Sequence, residues 1–395
     1  MSVPTLPGLP SGITSRIVAV QDLDIHILEA APPSTDSSSK PPLLLLLHGF
    51  PELAYSWRKI MTPLAAEGYL VVAPDQRGYG QTKSRKPGER QGKISYDDDI
   101  APFRMINLAT DIVGLVYALG YTSVAAIIGH DFGSPVAAHC ALIRPDLFRS
   151  MVLMSAPYSG PPELSEFEKP DAKSLAHRVN EMLAKLDPPF KHYTMYFSGP
   201  DADRDMLNPP GGLHAFLRGY YHLKSADWEK NGSCAPVDLS KGVVGALAVL
   251  PQYYIMPFSK TMPECIVDNA ASEEIASSTW LTDEELDYYI NQFQERGFQG
   301  GLNWYRCQTD SLKWSEDLRI FSGKEIEVPA MFIGGVRDWG VWQIPGAAEK
   351  MRQRLRRQMN EDDFVLVDGA GHWVQQEKPE AVVRNLLRFL RKTSS

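Results

Sequence analysis

The apolar run Val124-Ala-Ala-Ile-Ile128 breaks into Gly129-His-Asp-Phe-Gly133, and few local patterns leave a chain so little conformational choice. A short apolar run of this kind reads as a strand buried in a sheet. Glycines two residues either side of Asp131 permit a turn too tight for side chains at those positions. Asp131 is thus expected where a strand gives way to a helix, with its carboxylate exposed on the turn. A helix cap would also accept an aspartate here, but a cap has no need of glycine on both sides.

Similar strand ends recur along the chain. Leu43 to Leu47 is a continuous apolar run ending in His48-Gly-Phe-Pro-Glu52, and Val71 to Ala73 ends in Asp75-Gln-Arg-Gly78. Before them, Arg16 to Val20 and Ile25 to Leu28 suggest an opening strand pair. Met105, Leu108, Ile112, Leu115 and Leu119 have helical spacing and stop at Gly120. Val136 to Ile143 reads as a helix closed by Arg144-Pro145, and Met151 to Met154 as the next strand. From about Tyr158 strand patterns give way to helical ones, Gly242 to Leu250 and Glu284 to Glu295, the latter opened by the capping box Thr282-Asp-Glu-Glu285 and closed at Gly297. Strands resume with Val328 to Ile333 and Phe364 to Val367, and Pro379 opens an amphipathic final helix. The expected fold class is α/β: a mostly parallel central sheet with helices on both faces. Residues 1–157 and 326–395 form its two parts, with 158–325 inserted between them as a helical lid.

Composition narrows the partners. A net charge of −8, with 22% charged residues, argues against a nucleic-acid partner. The one basic cluster, Arg352 to Arg357, has aliphatic residues at helical spacing and acids beside it, so it is expected to be a solvated helix face. Cys140, Cys234, Cys265 and Cys307 are scattered without metal-ligand spacing, which suggests neither disulfides nor a metal. No export signal opens the chain and the five leucines are too few to span a bilayer, so a cytoplasmic protein without a membrane anchor is expected.

Asp131, Asp338 and His372 each follow a strand, in the chain order nucleophile, acid, histidine used by the α/β-hydrolase architecture. Asp338 could instead be a turn residue, with Asp368 as a nearby alternative. His48-Gly-Phe-Pro-Glu52, Gly129-His-Asp-Phe-Gly133, Gly297-Phe-Gln-Gly-Gly-Leu-Asn-Trp-Tyr-Arg306 and Gly371-His-Trp373 together resemble the soluble epoxide hydrolases of that superfamily, of the fungal and bacterial kind.

The resemblance implies a cofactor-independent hydrolase that needs only a small epoxide and water, acting as a monomer or homodimer. By it, Asp131 is the nucleophile, His372 the base for the hydrolytic water and Asp338 its orienting partner. Tyr305 and Tyr193 are the acid donors to the oxirane oxygen, although Tyr196 lies one helical turn from Tyr193 and competes for that role. The N–H groups of Phe50 and Phe132 form the oxyanion hole. Glu52 either helps to hold the hydrolytic water or is an exposed loop carboxylate. Asp75 reads as a turn residue. A dehalogenase built on the same aspartate is the alternative, and Phe132 counts against it, because it lacks the indole N–H that many relatives carry there.

Overall fold

The computed structural model describes residues 6, 8–33, 40–86, 93–167, 173–232, 234–270, 278–357 and 359–393, which leaves the first five residues, read above for an export signal, outside it. Seven strands come first: β1 (Ile13–Val20), β2 (Leu23–Ala30), β3 (Leu43–Leu47), β4 (Leu70–Pro74), β5 (Lys83–Ser84), β6 (Ala126–His130) and β7 (Met151–Met154). A long helical interval contains, among the described residues, only β8 (Phe190–His192) and β9 (Ile255–Pro257), and β10 (Ala330–Gly335) and β11 (Phe364–Val367) follow it. The main sheet runs β1-β2-β4-β3-β6-β7-β10-β11, with β5 paired to β2. It is parallel from β4 to β11 and antiparallel where β1 and β2 join. β3, β6, β7 and β10 are buried throughout, as apolar runs without alternation require of strands covered on both faces. Helix Gly133–Ile143 lies on β6 and β7, and helix Arg58–Ala66 packs on β4 and on the final helix, Pro379–Thr393.

β3 and β6 are neighbours, yet the chain leaves β3 towards β4 on one side and reaches β6 on the other. Reversals of this kind open a crevice at the carboxyl ends of the two strands. His48 to Glu52 and Asp131 follow those two ends.

Several elements depart from expectation for local reasons. β8 and β9 pair antiparallel in register Phe190↔Pro257 to His192↔Ile255, and three residues are too few to show a period. β10 begins two residues late because Pro329 has no N–H for the ladder. The helix expected from Gly242 ends at Leu247. The basic cluster is not one helical face: its helix ends at Gln353, Arg352 stacks 4.5 Å from the Phe364 ring, and Arg354 is bonded to Glu163. The Thr282 capping box forms as read, with the Glu285 N–H donating to Thr282 Oγ1 at 3.2 Å and the Thr282 N–H to Glu285 Oε2 at 3.0 Å. Among the described residues, no helix is long and apolar enough to cross a membrane.

Candidate active site

Asp131 has φ +50°, a conformation costing a side-chain-bearing residue on the order of 1 kcal/mol or more. The flanking glycines explain how it is held. A Cβ on Gly129 would stand 2.1 Å from the Gly133 carbonyl oxygen, and one on Gly133 would stand 2.2 Å from that of Leu47. The Asp131 N–H donates to Met154 across the sheet at 3.0 Å. Ser134, one turn on, donates its hydroxyl to the carbonyls of Gly129 and Met154 and is fully buried, so no serine nucleophile is presented here.

Both oxygens of the Asp131 carboxylate are placed. Oδ1 accepts the Phe50 N–H at 2.9 Å, and Oδ2 lies 3.4 Å from His372 Nε2. His372 Nδ1 meets Asp338 Oδ1 at 3.0 Å, and that oxygen also accepts the Gly340 N–H at 2.7 Å. All three side chains are buried, and His372 Nε2 has no hydrogen-bond partner among the described residues. Burial alone would raise the pKa of Asp131, but the His372 ring facing Oδ2, backed by the charges of Lys224 and His130, outweighs it and holds the carboxyl well below its ordinary range. Asp338 is likewise raised by burial and brought below its ordinary value by His372. Asp368, the alternative to Asp338, is exposed and, among the described residues, bonds only the next N–H.

The backbone of His372 is pinned on every side. Its N–H donates to the Lys224 carbonyl at 2.8 Å, and its own carbonyl accepts from His130 Nε2 at 2.7 Å and from Ser155 Oγ at 3.0 Å. His130 Nδ1 in turn meets Glu52 Oε2 at 2.5 Å. One proton lies between these two groups, and burial opposes charge on either. The mutual attraction nevertheless lowers Glu52 and raises His130, which favours the ion pair.

Glu52 therefore differs from both earlier readings. It is buried, not exposed, and its four acceptor sites are matched by four donors: Gly49 N at 3.2 Å, His130 Nδ1, Gln375 Nε2 at 2.9 Å and Gln376 Nε2 at 3.3 Å. A carboxylate with two oxygens has about four lone-pair sites, so none is left to position a water. Asp75 bonds the Gln81 N–H of the turn that follows it and is also a buried node, bonded to His26 Nδ1 and Ala54 N.

Glu377 fastens the same loop to the helical interval between β7 and β10, accepting N–H groups from Ala226 at 2.8 Å, Gly371 at 2.9 Å and Trp373 at 3.0 Å. Burial pushes its carboxyl up to about 7 against those three donors, with Asp227 adding to the push. Between the unfolded value near 4.5 and about 7, the native state then holds a proton that the unfolded chain has released. Its stabilising contribution is complete at low pH and lost as pH rises through this window. The unfolding free energy of the wild type relative to Glu377→Gln should fall by about 3 kcal/mol between pH 4.5 and 7.5 in urea titrations. A difference independent of pH would show that Glu377 stays ionised throughout.

Over the carboxylate, aromatic side chains from the strand ends and from the helical interval between β7 and β10 form a box. The Phe132 ring meets Trp304 at 5.2 Å and Tyr305 at 5.1 Å, and Phe50 meets Tyr305 at 5.4 Å. Tyr193 stands 6.0 Å from Tyr305, ring to ring. Tyr305 reaches this position because its helix, Gln299–Thr309, rests directly on the core loop, where a Cβ on Gly300 would stand 2.0 Å from the Gly78 carbonyl oxygen. Burial and then the Asp131 charge push both phenols well above the ordinary tyrosine value, so they are protonated at neutral pH. Tyr196, by contrast, turns its hydroxyl to Asp205 at 3.2 Å. The indoles near the site are committed as well, Trp304 to the Arg77 carbonyl at 3.1 Å and Trp373 to that of Tyr221 at 2.8 Å. The structure thus gathers Asp131, His372, Asp338, Phe50, Phe132, Tyr193 and Tyr305 around one point. Sequence reasoning missed His130, Ser155, Glu377 and Lys224. Only His130 carried a signal, as a polar residue in a fully buried strand.

Comparison with known proteins points the same way. Residues 42–191 match the family model described as the alpha/beta hydrolase fold. Epoxide hydrolase A of Mycobacterium tuberculosis is 32% identical over 95% of this chain and 97% of its own length, and epoxide hydrolase B of that organism is 31% identical with the same coverage. Among solved structures, an epoxide hydrolase from an endophytic Streptomyces superposes with a TM-score of 0.71 at 30% identity, covering 97% of this chain and 96% of that one. Potato epoxide hydrolase I gives 0.68 at 29% identity, covering 96% and 99%.

Proposed function

Because this chain belongs to the epoxide hydrolases of the α/β-hydrolase fold, we propose that it works through a covalent ester of Asp131. The observation that carries this reading is the split use of one carboxylate: Oδ1 on the Phe50 N–H, and Oδ2 beside a histidine nitrogen with no other partner. A carboxylate kept ionised needs no base to become a nucleophile. Oδ2 attacks an oxirane carbon from behind, the carbon–oxygen bond breaks, and Tyr305 or Tyr193 gives its proton to the departing oxygen. The product of this step is a hydroxyalkyl ester with its carbonyl oxygen still on the Phe50 N–H, joined there by that of Phe132.

Hydrolysis regenerates the enzyme. Water adds to Cγ of Asp131 while His372 Nε2 takes its proton, and Asp338 stabilises the imidazolium. The oxyanion is held by the two N–H groups. Collapse expels the alkoxide, which takes the proton back from His372, and the proton left on Asp131 returns to the tyrosine. The net change is epoxide plus water to vicinal diol. Glu52 acts in this scheme through His130, as a support for the carbonyl of His372. Trp304 is bonded to a backbone carbonyl and position 132 is Phe, so neither of these two positions offers an indole N–H for halide binding.

Isotope labelling tests the order of events. With excess enzyme and styrene oxide in heavy-oxygen water, the first-turnover diol should be unlabelled and the label should appear in the Asp131 peptide. Under repeated turnover the diol should then become labelled. Label in the first-turnover diol would mean direct attack by water, and absence of diol from a panel of epoxides would remove the activity itself.

A further inference from the structure

Lys224 is the last residue of the lid helix Gly212–Lys224 and is only 3% exposed, yet it makes neither an ion pair nor a hydrogen bond through its ammonium among the described residues. Four rings surround the ammonium instead, with their centroids at 5.0 Å (Tyr254), 5.3 Å (Tyr220), 5.5 Å (Trp373) and 6.0 Å (Tyr253). Aromatic faces return part of what hydration supplied, but they accept no hydrogen bond of ordinary strength. Lys224 thus carries up to three donors into an enclosed place with no acceptor matched to them.

That place adjoins the site. The Trp373 ring under the ammonium is 4.6 Å from the His372 ring, and the Tyr254 ring beside it is 5.1 Å from Tyr193. The Lys224 carbonyl itself accepts the His372 N–H. One ring therefore lies between the ammonium and the base, and one between it and a phenol donor. Burial brings the Lys224 ammonium below its ordinary pKa, and the charges of Asp131, Asp338 and Glu52 work against that, none of them within ion-pair distance among the described residues.

We propose that Lys224 is a specificity-determining residue that receives an acceptor oxygen carried by the substrate close to the oxirane, so that the preferred substrates are epoxides bearing a carboxylate on the ring carbon or next to it. This rests on the epoxide-hydrolase reading above. A carboxylate there would meet the donors Lys224 already presents, and its repulsion by Asp131 would be offset by the same ammonium. A hydrocarbon epoxide would leave those donors unmatched, the kind of mismatch on which enzymes discriminate most strongly.

Three epoxides of one shape separate the possibilities: trans-β-methylstyrene oxide, methyl trans-3-phenylglycidate and the trans-3-phenylglycidate anion. The measured quantity is kcat/KM for each with the wild type, Lys224→Met and Lys224→Arg. The ratio of glycidate to methylstyrene oxide should fall about tenfold or more in Lys224→Met, with the ester intermediate, and should be largely kept in Lys224→Arg. Equal losses on all three substrates would overturn the proposal. Should Lys224→Met fail to fold, inhibition of the wild type decides: 3-phenylpropanoate should compete about tenfold more strongly than 3-phenylpropan-1-ol, and equal inhibition would overturn it. The two readings fail differently, because a wild type inactive on all three epoxides and on styrene oxide removes the epoxide-hydrolase function. Turnover of methylstyrene oxide with an unchanged ratio removes only the role of Lys224.

Discussion

Replacing Asp131 by Asn should lower kcat/KM for styrene oxide by about 10⁴-fold or more while leaving the fold intact. The substitution alters little except nucleophilicity. Asn has nearly the volume of Asp, and with Asp it is among the residues that best tolerate the left-handed region in which position 131 is held at φ +50°. Its amide oxygen can still accept the Phe50 N–H. What disappears is the ionised oxygen facing His372, and a neutral amide does not displace an alkoxide from carbon. Initial rates of diol formation and a thermal melt check the two halves of the expectation. A loss smaller than about a hundredfold, with the melt unchanged, would mean that water attacks the oxirane directly and that the carboxylate only orients it.

The fold was legible wherever a signal was local and steric. β3 and β6 announced themselves as apolar runs, and the glycines around Asp131 mark contacts in which a single Cβ would collide with backbone at close to 2 Å. The motif after Gly297 was legible only by resemblance, and the contact of its Gly300 with the Gly78 backbone could not be read from the sequence. The support of His372 was not legible, because it is made of partners far apart in sequence. Glu52 bonds Gln375 and Gln376 more than three hundred residues away, and Glu377 reaches back 151 residues to Ala226. No periodicity or spacing encodes such pairings. Burial was equally hidden: the same Pro-Glu turn could have left Glu52 in solvent, and only the packed structure shows its carboxylate saturated by donors. Between Tyr193 and Tyr196 the sequence offers two phenols one turn apart, and what separates them is Asp205, which lies beyond the helix that carries both and accepts the Tyr196 hydroxyl.

His372→Asn should separate the two chemical steps. With excess styrene oxide the variant should gain the mass of one epoxide per chain, located on Asp131 by peptide mapping, and turnover should then slow on the order of 10⁴-fold. Attack on the oxirane needs only Oδ2, the oxyanion donors and a tyrosine, none of which is removed. Hydrolysis needs a base for water, and His372 Nε2 is the only unpartnered ring nitrogen found beside Asp131 among the described residues. The variant also makes a distinctive pH response. His372 provides the largest lowering influence on the Asp131 carboxyl, against burial that raises it. Without the imidazole the carboxyl should titrate at higher pH, so the single-turnover alkylation rate should still be rising with pH in a range where the wild-type nucleophile is already fully ionised. Adduct formation with this shifted profile would tie both roles of His372 to one residue. Steady turnover without adduct would mean that another group activates the water, and an adduct on any residue other than Asp131 would displace the nucleophile itself.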